Sequence, residues 1–402
     1  MTLDVLLSAG EVSGDVVAAL LARSLRAHDP SVSVWGAGGE RMAEAGVEIV
    51  SATNHLGRVG VTETLSVIAP LWKTFRSIRR RVLVRKPDVA VLIANDVFNV
   101  ILGRWLRRRG VRTIAYFPPQ IWIWRSLLWL FRGSYDTVLA SFPAENDIYR
   151  THVRDTRFVG HYLCDLLQPA GEEARHAIRL RFGFGPEDKV VAVLPGSRSH
   201  ELERIAPILL DAVARIAAEE TSVRFLMPLA EKEHAIVMAS LLRARLLTER
   251  VVIVHDSHSA LRAADLVLAT SGTATLEAAL IGAPMIVAYR LSRATVAFVR
   301  LCIRMGLMDS ETLALPNLIT GRNVVPELRQ EMLSATALAD AALQLLGNRD
   351  SLEVMRSDLA LVRSSLETGN AIGRVVADIA GQPADFESAM LLEAIASGRG
   401  VA

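Results

Sequence analysis

Two short segments combine residue types that can hold an anion. Pro195-Gly196-Ser197-Arg198 follows the apolar, strand-like run Val190–Leu194, and Ser271-Gly272-Thr273-Ala274-Thr275-Leu276-Glu277 follows the similar run Leu266–Leu268. Both put small residues where a strand gives way to a helix. The first backbone N–H groups of a helix have no intrahelical acceptor, and the helix dipole is positive there, so a phosphate is attracted. One segment carries Arg198 and the other Glu277. Two such turns in one half of a chain suit a nucleotide diphosphate held between them.

The first half has its own candidates. Ser8-Ala9-Gly10-Glu11-Val12-Ser13-Gly14-Asp15 joins the first strand to the first helix. Gly10 and Gly14 permit a tight turn and close approach of a ligand, while Ser13 and Asp15 either cap the helix or touch polar substrate groups. Ligands bind at this position in open α/β sheets, which favours contact. The G-x-x-x-G spacing is not a dinucleotide fingerprint. After another strand, Phe117-Pro118-Pro119-Gln120-Ile121-Trp122-Ile123-Trp124-Arg125 offers two tryptophans and an arginine, followed by the apolar Leu127–Phe131. Trp122 and Trp124 either line a cleft, dip into a membrane interface or pack internally. His161, in Phe158-Val159-Gly160-His161, is either structural or on a cleft rim. Asn317, Glu327 and Gln330, in two irregular polar stretches, suit sugar hydroxyls or a base as well as caps and turns.

Elements must position these groups. Apolar runs of strand length alternate with amphipathic segments: Asp4–Leu7, Val32–Trp35, Val89–Ile93, Thr113–Tyr116, Thr137–Ala140 and Thr156–Val159, then Val190–Leu194, Arg224–Met227, Val251–Val254, Leu266–Leu268 and Met285–Val287. Strands separated by helix-length stretches imply parallel sheets with helices on both faces. The interval Gln168–Glu187, with Pro169, Gly171 and a charged helix, reads as a joint. The expectation is an α/β chain of two doubly wound, Rossmann-like domains, 1–168 and 169–334, facing a cleft. A helical tail, 335–402, packs back on them.

Composition narrows the classes. At 402 residues the chain is too long for one ordinary core, and 51% hydrophobic with 22% charged residues is a globular balance. Two distant cysteines, Cys164 and Cys302, form no disulfide framework, and the nine histidines show no paired ligand spacing, so no metal is expected. Met1-Thr2-Leu3-Asp4 lacks the basic start of a signal peptide and no apolar run is long enough to span a bilayer, so a soluble or peripheral protein is expected. The net charge of +2 hides an asymmetry: Trp72–Arg112 holds twelve Lys or Arg against Asp88 and Asp96, a local +10. That concentration next to aromatic residues points to an anionic membrane surface, with a solvated helix face as the plainer reading.

In order along the chain, Ala9–Asp15, Val59–Gly60, Phe98–Asn99, Trp122–Arg125, Val159–His161, Leu194–Arg198, Ser271–Glu277 and Leu315–Glu331 resemble the lipid-A-disaccharide synthase family, inverting glycosyltransferases of the GT-B fold. The resemblance implies transfer of 2,3-diacylglucosamine from a UDP-linked donor to 2,3-diacylglucosamine 1-phosphate, giving a β(1→6) disaccharide and UDP. It implies donor binding on the second domain through Gly196, Ser197, Arg198, Ser271, Gly272, Thr273, Glu277, Asn317, Glu327 and Gln330, with Glu277 similar to a glutamate that holds ribose hydroxyls. The acceptor side would use Gly10, Ser13, Gly14, Asn99, Trp122, Trp124 and Arg125. Neither cofactor, metal nor nucleic acid is expected. The protein would lie on the cytoplasmic face of the inner membrane, as a homodimer through its tail.

The sequence departs from the family at one place that matters. Where the family shows D-A-P-D-F-N, this chain reads Ala94-Asn95-Asp96-Val97-Phe98-Asn99, so Val97 stands at the position of a candidate base. A valine cannot accept a proton. The remaining candidates are Asp96, Glu11, Asp15 and His161, of which Asp96 is preferred. Pro118-Pro119-Gln120 also departs from the family's pattern before its tryptophans. These acceptor-side changes leave two alternatives: another UDP-sugar reaction on this scaffold (a different lipid acceptor or a 2-epimerase-like elimination), and a catalytically silent homologue that binds nucleotide-sugar or lipid.

Overall fold

The computed structural model describes residues 2–53, 64–94, 96–119, 129, 131–196, 199–229, 232–306 and 312–382. The chain divides into two compact units. The first comprises Met1–Asp165, Ala297–Ser310 and Leu366–Gly398; the second comprises Leu166–Val296, Glu311–Ser365 and Arg399–Ala402.

The first unit is built on seven strands: β1 (Asp4–Ala9), β2 (Ser33–Gly38), β3 (Glu48–Ala52), β4 (Val89–Ile93), β5 (Arg112–Tyr116), β6 (Thr137–Ala140) and β7 (Asp155–Phe158). Their order is β3-β2-β1-β4-β5-β6-β7, and neighbouring strands are parallel. β1 and β4 are buried along their whole length, which is why β4 reads as a continuous apolar run and β1 as one around Val5–Leu7, with Asp4 and Ser8 buried beside it. Leu6, Trp35, Ala90, Leu92, Ala115 and Val138 share one core with Ile78, Leu102 and Leu106 from the helices Thr64–Val84 and Asp96–Arg107. The helix Ala371–Ile379 packs on Val12–His28.

The second unit holds six strands: β8 (Lys189–Leu194), β9 (Val223–Pro228), β10 (Val251–Val254), β11 (Leu266–Thr270), β12 (Met285–Tyr289) and β13 (Glu327–Arg329). They run β10-β9-β8-β11-β12-β13, again parallel. Val191, Val193, Phe225, Leu268 and Ile286 meet Leu209, Val213 and Ile216 of the helix Ala206–Glu219 and Leu338 of Ala335–Leu346. The charged helix Glu172–Arg181 belongs to this unit, because Arg175 and Arg179 each reach Asp265 at 2.6 Å.

Two strands differ from the sequence reading. β3 is half-exposed at a sheet edge and lacks the apolar run that marks the inner strands. β13 is only Glu-Leu-Arg, inside a stretch read as irregular, and takes strand form by pairing Val287–Tyr289 of β12 with Glu327–Arg329. Each sheet reverses its strand order once, between β1 and β4 and between β8 and β11.

Candidate active site

Leu194 pairs with Ala269 across the reversal in the second sheet. Pro195-Gly196 and Thr270-Ser271 therefore leave the sheet side by side at its carboxyl edge, the place where open parallel sheets bind ligands. The two anion-type segments, distant in sequence, are neighbours here. Gly196 has φ +105°, and a Cβ on it would fall 2.6 Å from Oε2 and 2.7 Å from Cβ of the buried Glu201. Only glycine fits both the dihedral and the space. Gly272 precedes the helix Thr273–Ile281, whose start lies at this edge. Ser271 Oγ donates to Leu313 O at 2.9 Å and Thr275 Oγ1 to Gly272 O at 2.8 Å, so both hydroxyls hold the turn. Ser197 and Arg198 lie outside the described residues.

Glu277 is the fifth residue of its helix, and its Oε2 stands 3.4 Å from Nε2 of His258. His258 belongs to the helix Ser257–Ala263, which Asp256 caps by accepting from Ser259 N–H at 3.0 Å. Nothing in the residue spacing singled out His258; its signal is the Asp-Ser-His-Ser start of a capped helix just beyond β10. Arg290, one residue beyond β12, was also missed. It donates to Gln330 O at 3.3 Å and Leu333 O at 2.5 Å, fixing a turn where Gln330 itself has φ +50°.

Asn317 and Glu327 brace the same edge from within. Asn317 is buried; its Oδ1 accepts from Val324 and Val325 N–H at 2.8 and 3.0 Å, and its Nδ2 donates to Val325 O at 2.9 Å and Glu327 Oε1 at 2.8 Å. Glu327 accepts from Leu313 and Ala314 N–H, each at 3.3 Å. Since Ser271 bonds the Leu313 carbonyl, one network joins the helix turn after β11 to β13. Both side chains are thus hydrogen-bonded within the protein at this edge.

At the first sheet's reversal, Ala9 pairs with Ile93. Gly10 and Glu11 open one turn, and Ala94, with φ +51°, opens the other. A non-glycine residue in this region carries strain of order 1 kcal/mol or more, held here by Asn99. Asn99 Nδ2 donates to Ala94 O at 2.5 Å and Ile93 O at 3.2 Å, and its Oδ1 accepts from Ser8 Oγ at 2.7 Å. Asn99 thus clamps both strand ends. Asp96 opens the helix Asp96–Arg107, and Val97 beside it is 70% exposed. Ser13 and Glu11 are exposed, and Glu11 makes no side-chain cap. Gly14 is buried between them and the β4 turn.

Two sequence candidates for proton transfer, Asp15 and His161, are buried and hydrogen-bonded to backbone amides. Asp15 is buried, and its carboxylate accepts from the backbone N–H groups of Gly39, Arg41 and Met42 at 2.7, 3.0 and 3.3 Å. It caps the short helix Glu40–Glu44 and not its own. His161 is buried against Phe117, Phe142 and Tyr162, with ring centroids 5.0 to 5.2 Å away, and its Nδ1 accepts from Leu163 N–H at 3.2 Å. Burial pushes its pKa down to about 3, so it is neutral near pH 7.

The basic segment forms a surface on two adjacent helices. Trp72 stacks on Phe75 with centroids 5.7 Å apart, Phe75 meets the edge of Trp105 at 5.6 Å, and Arg109 lies 4.5 Å over Trp105. Trp72, Ile101 and Trp129 are more than half exposed. Trp122, Trp124 and Arg125 lie outside the described residues. Among the described residues no cluster of His, Cys, Asp and Glu could hold a metal, and no helix is long and apolar enough to cross a membrane.

Residues 5–371 match the family described as lipid-A-disaccharide synthetase. A relative from Geobacter sulfurreducens, named lipid-A-disaccharide synthase, is 33% identical over 92% of this chain and 95% of its own. Among solved structures, a UDP-GlcNAc 2-epimerase from Neisseria meningitidis bound to UDP-GlcNAc superposes with a TM-score of 0.63 at 13% identity, over 94% of this chain and all of that one. A calicheamicin glycosyltransferase gives 0.59 at 16% identity, over 95% and 99%. Similarity at that level speaks for the GT-B type fold alone, which epimerases and transferases share.

Proposed function

The chain belongs to the lipid-A-disaccharide synthetase family, and from that premise we propose how its two carboxyl edges divide the reaction. The protein is a glycosyltransferase that moves 2,3-diacylglucosamine from UDP to 2,3-diacylglucosamine 1-phosphate. The 6-hydroxyl of the acceptor attacks the anomeric carbon of the donor as the bond to UDP breaks, so the configuration inverts. The hydroxyl proton goes to a base, and the diphosphate leaves with the bonding electron pair.

In our reading the second unit binds the donor. The observation that carries this is the pairing of Leu194 with Ala269, which sets the Gly196 and Gly272 turns on either side of the strand reversal. The start of the helix Thr273–Ile281 would stabilise charge gathering on the leaving diphosphate, and Arg198 would add its cation. The Glu277–His258 pair suits ribose hydroxyls, with Glu277 accepting. Asn317, Glu327 and Gln330 support the turn.

The first unit supplies the base. Asp15 and His161 are engaged by backbone amides, which leaves Asp96 and Glu11 at the β4 and β1 turns. Asp96 is our choice, because it follows an irregular turn held open by Asn99 at the strand reversal. Asp96→Asn should lower turnover about 100-fold or more with UDP affinity unchanged. Glu277→Gln should instead weaken UDP binding. Full activity in Asp96→Asn would move the base to Glu11; unchanged UDP affinity in Glu277→Gln would remove Glu277 from the donor site.

The acyl chains of both substrates would stay in a bilayer. The Trp72–Phe75–Trp105 stack, the exposed Ile101 and the surrounding arginines suit peripheral attachment to an anionic membrane.

A further inference from the structure

We propose that the amino-terminal edge of the first sheet carries a second anion site, an arginine-lined cavity that binds a phosphate group. The cavity is a hollow open to solvent, with a volume of about 520 Å³, bordered by Arg104, Arg107, Arg108 and Arg112, with Asp136 as its carboxylate. Arg112 is the first residue of β5 and Tyr116 the last. At roughly 3.3 Å per residue, a five-residue strand separates the cavity from the carboxyl edge by over 10 Å. A ligand here is therefore distinct from one bound at the carboxyl edge of the sheet.

Charge and bracing argue for an anion. Asp136 is fully used: Oδ1 accepts from Arg107 Nε at 2.7 Å, and Oδ2 accepts from Thr113 N–H and Oγ1 at 2.9 and 3.0 Å. Arg112 is fixed from behind, donating to Asp378 O at 2.9 Å and Asp378 Oδ1 at 2.5 Å, while Asp378 Oδ2 is taken by Arg157 at 2.6 Å. Two of the four guanidinium groups are thus held in place by buried or half-buried carboxylates. Arg104 also donates to Arg132 O at 3.4 Å, and Arg108 follows one helical turn later, in the turn just beyond Asp96–Arg107, so four arginines border one hollow. Lys86 Nζ stands 3.2 Å from where a Cβ on Gly110, another wall residue, would be, adding a further cation.

The guanidinium fork suits a tetrahedral oxyanion, offering paired N–H donors to its oxygens. A phosphate is the ligand class, and it has two sources: a lipid headgroup or a free phosphate. The site rests on the first unit alone and stands apart from the assignment of Asp96 or of the donor edge.

The test compares wild type, Arg108→Gln, Arg104→Gln/Arg108→Gln, and a control, Arg79→Gln/Arg80→Gln, which removes equal charge from exposed positions on the neighbouring helix. Calorimetry at 0.15 M salt would use inorganic phosphate and dibutyryl phosphatidic acid below its micelle concentration, with UDP affinity as a check on folding. The expected result is saturable, one-to-one binding of a phosphate probe, weakened at least tenfold in the Arg104/Arg108 variant and less than threefold in the control. Preference for the phosphatidic acid would identify a headgroup, and equal binding a free phosphate. Absence of saturable binding to both probes overturns the site. So does equal weakening by the control pair, since that describes a diffuse basic surface and not a cavity.

Discussion

Asn317 Nδ2 donates to Glu327 Oε1 at 2.8 Å, joining the helix Leu315–Thr320 to β13 beneath the turn that follows β11. Replacing Asn317 with alanine strands two buried amides, Val324 and Val325, and loosens the Glu327 carboxylate that holds Leu313 and Ala314. The expected cost is about 2–4 kcal/mol of stability. Urea unfolding would show it as a lower midpoint, and UDP affinity should fall with it through the Ser271–Leu313 contact. An unchanged midpoint would contradict the bracing role.

Gly196 and Gly14 provide a contrast between the two edges. Gly196→Ala forces a side chain into φ +105° and onto Glu201, so the β8 turn must shift. A Cβ on Gly14 meets Ala94 Cβ and Ile93 O at 3.5 Å, which is ordinary contact. Gly196→Ala is therefore expected to cost about 1–3 kcal/mol and to weaken UDP binding at least tenfold. Gly14→Ala should leave UDP binding unchanged. Equal UDP affinity in both variants would remove the β8 turn from the donor site.

His161 gives a pH signature. Burial lowers its folded pKa to about 3 from an unfolded value of 6.5, so the neutral ring stabilises the fold fully above pH 6.5. That contribution is lost as pH falls from 6.5 through 3, by an amount on the order of 4 kcal/mol. His161→Gln should flatten the acid limb of a stability–pH curve within this window, whatever its effect at neutral pH. An acid limb identical to wild type would mean that the ring is not held neutral.

Membrane attachment through the basic helices should depend on salt. Each Lys or Arg near an anionic surface contributes about 1 kcal/mol at low ionic strength. Co-sedimentation with phosphatidylglycerol vesicles should fall steeply between 0.05 and about 0.5 M salt as the Debye length shrinks. Binding that ignores both salt and lipid charge would leave the basic helices as a solvated face.

Most of the strands were legible because inner parallel strands are buried on both faces and carry apolar runs: Val5–Leu7 in β1, Val89–Ile93 in β4, Val190–Leu194 in β8 and Leu266–Ala269 in β11. β3 and β13 escaped for the opposite reason, one half-exposed at an edge and one too short to have a pattern. The anion-type turns were readable, since glycine and small hydroxyl residues after an apolar run have a local cause. Their adjacency was not, because it depends on β11 inserting beside β8. The roles of Asp15 and His161 were equally hidden: Gly39, Arg41 and Met42, and the Phe117–Phe142 cage, are supplied by distant chain.

The most direct measurement is UDP release from UDP-2,3-diacylglucosamine by the purified protein, with and without 2,3-diacylglucosamine 1-phosphate. The account predicts release only when the acceptor is present, with one disaccharide 1-phosphate formed per UDP. Release at the same rate without acceptor, or tight UDP binding with no release under either condition, would contradict it.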